Sequence, residues 1–306
     1  MKLKLNRKTG RRSDFDRAFD AVNITLLILL TVICAYPIYY TICASFSEPD
    51  AVLSGKVFLW PVGFTLDSFK SILKYEAIWT GYRNTIFYTL FGTLYNLFLL
   101  IPASYALART ELRGRKAINL IFLFTMYFGG GQIPYYLNLK SLGLLNSPLV
   151  MIIPGAFSVY NMLIARSYFA SFPKELIEAS KIDGAGEFGI FCRIVLPLSG
   201  AIIAVMALYH AVGHWNNYFN ALLYLSDREH FPLQMVLREV LLMNEAVSPD
   251  IGSMDPEAAA DMLRRARLAE TMKYSLIIVA NLPVMIAYPF VQKYFVKGVM
   301  IGSVKG

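Results

Sequence analysis

SFPKELIEASKIDGAGEFGIFCRIVLP, residues 171–197, separates two uncharged apolar runs at 148–165 and 199–224. Pro173 suits the first turn of a helix and Glu175 favours its N-terminal dipole, while Leu176, Ile177, Ala179 and Ser180 supply a small apolar face. Gly184 stops that helix, because a residue without Cβ turns a sharp corner, positive φ included, at little cost. Phe188, Phe191, Ile194 and Val195 form a second apolar face, and Pro197 marks the start of the next run. A short helix, a glycine corner and a second helix make a compact knob. The plainer alternative is a loop folded back on the surface with no partner.

The flanking runs decide what the knob projects from. Uncharged apolar stretches cover 21–46, 84–107, 117–137, 148–165, 199–224 and 274–292, six in all. Each is close to the ~20 residues that cross a bilayer core. With 56% hydrophobic and 16% charged residues in 306, the chain reads as an all-α integral membrane protein of six transmembrane helices. With a cytoplasmic N-terminus, segments 1–20, 108–116, 166–198 and 293–306 lie inside and carry 18 Lys and Arg, against 11 outside. Six of those 11 fall in the long 225–273 loop, where length weakens the positive-inside rule. Both termini are therefore expected in the cytoplasm, and the net charge of +8 reads as topology, not as a nucleic-acid surface. No cleavage site follows the first run, so it is expected to be retained as a helix.

The segments between the runs divide the chain further. Ser13 suits an N-cap, and Phe15, Phe19 and Val22 recur at helical spacing, predicting a short amphipathic helix on the cytoplasmic membrane surface. A basic tail without structure is the alternative. Residues 47–80 read as an irregular extracytoplasmic loop. In 225–273, Leu233, Val236, Leu237, Val240 and Leu241 predict an amphipathic helix that meets a partner or the membrane. Cys34 and Cys43 stand nine residues apart in one helix, about 13 Å along its axis and on opposite faces, too far for a disulfide.

None of the six runs carries an Asp, Glu, Lys or Arg, the groups by which ion-coupled pumps usually work. His210 and His214 share one helical face, yet the metalloprotease pattern needs a Glu after the first His and position 211 is Ala. They read as core or pathway hydrogen-bonding groups. A literal GxGxxG at Gly184, Gly186 and Gly189 lacks the preceding strand and the acidic residue of a dinucleotide site. No GxxxxGK[ST] occurs, so any nucleotide-driven motor must be another subunit.

The 171–197 segment resembles the signature of importer-type ABC permeases: Glu178, Ala179, Ser180, three residues, Gly184, nine residues, then Ile194, Val195, Leu196 and Pro197. The one departure is Ser180 in place of a second alanine. Residues 83–109 and 215–225 resemble other parts of that family's core. Residues 297–306, KGVMIGSVKG, are similar to the tail of the smaller maltose-permease subunit and of polysaccharide- and lipoprotein-type sugar permeases.

This resemblance implies the type-1 ABC importer permease fold, with the core over 81–296 and a cytoplasmic tail at 297–306. It implies a plasma-membrane translocation subunit for sugars, paired with a sister permease and two ATPase subunits that use ATP and Mg. An extracytoplasmic sugar-binding protein would deliver the cargo; the chain itself would bind no cofactor and catalyse nothing. Glu178, Ala179, Ser180, Asp183, Gly184, Ile194, Leu196 and Pro197 would couple to the ATPase, and Gly302, Val304, Lys305 and Gly306 would touch it from the tail. Uncharged rings and amides suit a neutral or weakly charged polyol, which makes Tyr160, Asn161, Asn216, Asn217, Tyr218, Asn220 and Asn281 the candidate substrate pathway. A stand-alone channel or secondary transporter, and a membrane metalloenzyme built on His210 and His214, are the competing classes.

Overall fold

The structure, a computed structural model, describes residues 14–246, Arg267 and residues 271–289. The described residues form helices joined by turns and loops, with no strand among them. In chain order the helices are α1 (Asp14–Ser45), α2 (Pro49–Leu53), α3 (Asp67–Lys74), α4 (Glu76–Ala108), α5 (Arg115–Tyr127), α6 (Gln132–Ser141), α7 (Val159–Ala170), α8 (Lys174–Ile182), α9 (Glu187–Ile190), α10 (Leu196–Leu198), α11 (Gly200–Trp215), α12 (Phe219–Tyr224) and α13 (Leu233–Ala246). A last helix, α14, spans Thr271–Pro289.

Three helices, α1, α4 and α14, are each long and apolar enough to cross a membrane, and the bent pair Glu187–Leu198 and Gly200–Trp215 makes a fourth at most. Three of the six expected runs are therefore not single helices among the described residues; of these, the 199–224 run is divided at 216–218 between α11 and α12. The 117–137 run is cut by Gly129, Gly130 and Gly131, the last with φ +87°, and splits into α5 and α6. The 148–165 run opens with a 3-10 turn at Pro148–Met151 and is then interrupted before α7. Pro154 supplies no N–H there and Gly155 has φ +71°.

The chain forms two compact units, the first from residues 1–70 and 251–278, the second from 71–250 and 279–306. In the first, α1 exposes nearly all its apolar side chains, as a lipid-facing helix does. Phe15, Phe19 and Val22 belong to this same continuous helix. The expected separate surface helix is thus fused to the first span, since no glycine or proline separates Phe15 from the apolar run at 21–46; Ser13 lies outside the described residues. The far end of α1 is pinned by hydroxyls that replace water: Ser47 Oγ donates to the Cys43 carbonyl at 2.7 Å and accepts from Val62 N–H at 3.1 Å. Ser68 and Thr271 hydroxyls meet at 3.0 Å, and Arg267 pairs with Asp50.

The second unit is built around α4, whose 33 residues extend about 50 Å, with α7, α11 and α13 packed on it. In lipid, burying apolar surface between helices brings little, so close contact and hydrogen bonds hold the bundle. Glycines on α4 supply the contact. A Cβ at Gly81 would stand 3.0 Å from the Leu233 backbone, and one at Gly92 only 2.5 Å from the His214 ring. Asn84 donates to the Glu229 and Phe231 carbonyls at 2.6 and 3.0 Å, and Thr85 Oγ1 accepts from Leu233 N–H at 2.8 Å. These bonds seat the start of α13 on α4. Leu233 and Val236 are buried, whereas Leu237, Val240 and Leu241 are half-buried, so the start of the apolar face expected to meet a partner or the membrane packs on the chain's own core.

Candidate functional site

Helix α8 is short, and its ends are set by sequence. Pro173 occupies the N-cap, just before the first turn, and Glu175 and Lys181 sit at the ends where the helix dipole favours their charges. At the C-terminus Gly184 adopts φ +80°, with Gly184 N–H bonded to the Lys181 carbonyl and Ala185 N–H to the Ser180 carbonyl, both at 3.0 Å. This is the Schellman closure expected of a glycine at that position. Open space surrounds Gly184, so conformation alone demands glycine there. Gly184→Val is expected to cost about 1–2 kcal/mol, whereas Gly184→Asn, which tolerates the left-handed region, costs less. Hydrogen exchange of the α8 amides checks this; equal protection in the two variants would contradict it.

The two faces of α8 do different things. Ile177 and Ser180 are buried, and Ile177 joins Leu100, Tyr105, Met162, Phe169, Ile190 and Val195 in one core cluster. Glu178, Ala179 and Asp183 are exposed on the other side, beside Ile182 and Phe188, which are 87% and 80% exposed. The sequence reading placed Ser180 and Ile177 on the docking surface; the structure turns both inward. Ser180 Oγ bonds the Leu176 carbonyl at 2.5 Å, a use of its hydroxyl that alanine would lack. Gly184 and Pro197 are exposed, and Ile194 and Leu196 are half-buried.

Beyond the glycine corner, α9 runs through a π turn at Phe191–Val195 into α10. The helical segment then bends 78° into α11. Pro197, without an N–H, removes a hydrogen bond just before the bend. Tyr105 packs between Phe169 and Phe191 at 5.7 and 5.2 Å, so α4, α7 and the π turn share one aromatic contact.

Arg109, at the end of α4, pairs with Glu187 at 3.6 Å and Glu111 at 3.2 Å, and Lys181 pairs with Glu187 at 2.9 Å. The Arg109 side chain is only 15% exposed, so its ion pairs are less screened than surface ones. The Glu111 carboxyl is held below its usual range, chiefly by a hydrogen bond to its own backbone N–H, with Arg109 also attracting it against desolvation. The sequence reading missed this clamp. Arg109 and Glu187 are 78 positions apart, and charges at the ends of apolar runs read as topology.

A second polar group lies inside the bundle. The Asn96 amide nitrogen is 2.7 Å from His210 Nδ1 and 3.2 Å from His214 Nε2, and that of Asn161 is 3.3 Å from His210 Nε2. Four polar side chains thus tie α4, α7 and α11 together. Asn161 is the one expected pathway residue seen in this cluster; Asn96 was missed, though an amide within an uncharged run was its signal. Asn216 bonds the Val212 carbonyl at 3.1 Å, and Asn217 Oδ1 accepts from Asn220 N–H at 3.3 Å. Both serve the turn from α11 to α12. Tyr160 and Tyr218 are exposed, and Asn281 is half-buried on α14. The tail residues Gly302, Val304, Lys305 and Gly306 lie outside the described residues.

Comparison with known proteins bears on this arrangement. The chain is 38% identical over 296 residues to the polygalacturonan/rhamnogalacturonan transport system permease protein YtcP of Bacillus subtilis, covering 95% of this chain and 99% of that one. It is 39% identical over 290 residues to Protein LplC of the same organism, covering 95% and 96%. Among solved structures it resembles a chain of a bacterial ABC transporter involved in the import of the acidic polysaccharide alginate. The TM-score is 0.84 at 36% identity, with 94% of this chain and all of that chain covered. The model of the family described as "Binding-protein-dependent transport system inner membrane component" matches residues 77–301, which include α8, the Arg109 clamp and the interior histidines. The chain therefore belongs to the binding-protein-dependent transport system inner membrane components, with their type-1 ABC permease fold.

Proposed function

We propose that this chain is the translocation subunit of an ATP-driven carbohydrate importer, and that its cargo is an acidic oligosaccharide. The observation that carries the coupling part is the two-faced α8. Its inner face is locked into the α4–α7 core, and its outer face offers small and apolar groups, Ala179 and Ile182, beside Glu178. A rigid lever with an unfilled outer face suits a groove on a moving partner. That partner would be one of two ATPase subunits that bind ATP and Mg, while a sister permease completes the membrane passage and an extracytoplasmic protein delivers the sugar.

Relatives named for polygalacturonan and alginate support the charged side of the neutral or weakly charged polyol that the pathway's rings and amides suggested. In this reading the chain crosses the plasma membrane six times. Short helices such as α5 and α7 then complete spans together with neighbouring segments, and both termini face the cytoplasm. In a background lacking Cys34, Cys43 and Cys192, an Ile182→Cys thiol is expected to react with an impermeant reagent only in inverted vesicles. Labelling in intact cells would reverse the topology.

The proposal is tested by assembling the chain with its sister permease, ATPase and binding protein and measuring ATP hydrolysis against a panel of sugars. Oligogalacturonides are expected to stimulate hydrolysis and neutral maltooligosaccharides to leave it basal. Stimulation by neutral sugars alone would overturn the acidic assignment, and none by any sugar would overturn carbohydrate import. Removing residues 302–306 is expected to lower the stimulated rate without affecting membrane insertion. An unchanged rate would leave the tail without a role in coupling.

A further inference from the structure

Where α4 ends, α5 begins and α7 ends, the second unit contains an open pocket of about 310 Å³, within the roughly 300–1,000 Å³ of small-molecule sites. Its wall has two chemistries. Arg115, Lys116 and Arg166 supply three cations, and no acidic side chain lines it; Leu107 and Leu120 supply apolar surface. Among the described residues, no carboxylate forms an ion pair with any of the three cations. Arg115 is partly occupied, donating to the Ala108 carbonyl at 3.3 Å. That leaves Lys116 and Arg166, among the described residues, open to an added anion.

Asn119 also lines the pocket, is 9% exposed, and its Nδ2 donates to the Arg115 carbonyl at 2.9 Å. Its Oδ1 is shut off from solvent, and so from anything the open pocket holds. Three cations with no acidic side chain in the wall ask for a phosphate or carboxylate.

The surroundings point to lipid. Leu120, Ile121 and Phe124 on α5 are 68%, 63% and 58% exposed, an apolar track that continues from the pocket along the helix. The pocket borders the loop whose Arg109 clamps Glu187, so it sits at the same end of α4 as the coupling loop. Basic pockets between helices on the cytoplasmic side are where anionic headgroups bind.

We propose that this pocket holds the phosphate headgroup of an anionic phospholipid. Lys116, Arg115 and Arg166 face the phosphate, and an acyl chain lies along Leu120, Ile121 and Phe124. A lipid so placed braces the ends of α4, α5 and α7 beside the coupling loop.

The test uses the assembled importer in nanodiscs of phosphatidylcholine with phosphatidylglycerol, and native mass spectrometry of the lipid each protein retains. Wild type is expected to keep phosphatidylglycerol over phosphatidylcholine. The Lys116→Gln/Arg166→Gln variant should hold it about 25-fold more weakly, roughly fivefold per cation. A Lys116→Arg/Arg166→Lys swap, which keeps charge and fold, should behave as wild type. Soluble glycerophosphate should not displace the lipid. Equal retention by the neutralised variant, or no preference over phosphatidylcholine, would overturn the site; displacement by glycerophosphate would show a soluble anion to be its ligand.

Discussion

Ala179→Trp is expected to fold and insert normally yet lose its ATPase partner. Ala179 lies on the exposed face of α8 and contributes nothing to the chain's own core. An indole there meets only solvent in the isolated subunit, and surface substitutions of this kind stay within about 0.5 kcal/mol. In the importer proposed here the same indole would have to enter the ATPase groove that receives Ala179. Overpacking a close contact costs about 1–3 kcal/mol or more, enough to weaken association tenfold to a hundredfold. Co-purification of the ATPase with the tagged permease measures this, and thermal melting of the permease alone supplies the control. The neighbouring Ser180→Trp should do the opposite, since Ser180 is buried: it unfolds the subunit itself. Wild-type ATPase recovery with Ala179→Trp would show that α8 docks nothing.

The second large effect is expected inside the bundle. Gly92→Ala places a Cβ 2.5 Å from the His214 ring, closer than any real contact, so the ring must move. It is not free to move cheaply, because His214 shares the Asn96 amide with His210. Displacing it breaks the bond that ties α4 to α11 and leaves buried polar atoms unpaired, at about 1–3 kcal/mol. A fall of several degrees in the melting temperature of the purified subunit is expected. A double-mutant cycle isolates the cause: Gly92→Ala added to His214→Ala should cost far less than Gly92→Ala alone, because the obstructing ring is gone. Additive costs would place the obstruction elsewhere.

Which features could be read in advance follows from their range along the chain. The apolar runs of α1, α4 and α14 and the glycine that closes α8 are local, and the structure has them close to where the spacing puts them. The broken third, fourth and fifth runs were hidden because hydropathy sums over a window and does not register Gly129–Gly131, Pro154–Gly155 or Asn216–Tyr218 as stops. The facing of α8 was missed for another reason. Ile177, Ala179, Ser180 and Ile182 are all small or apolar, and only contact with Tyr105, Phe169 and Met162 decides that Ile177 goes in and Ile182 out. The Arg109–Glu187 clamp and the Asn96–His210–His214 group join residues more than 75 positions apart, and such pairings exist only after the helices have packed.

The account rests on this chain carrying sugar across a membrane only when an ATPase pushes on α8. The direct measurement is uptake of labelled oligogalacturonide into proteoliposomes containing the complete importer, with binding protein outside and ATP trapped inside. Uptake that requires both ATP and binding protein, and that is lost with Ala179→Trp, is the predicted result. Uptake that proceeds without ATP, or that survives Ala179→Trp unchanged, would contradict it.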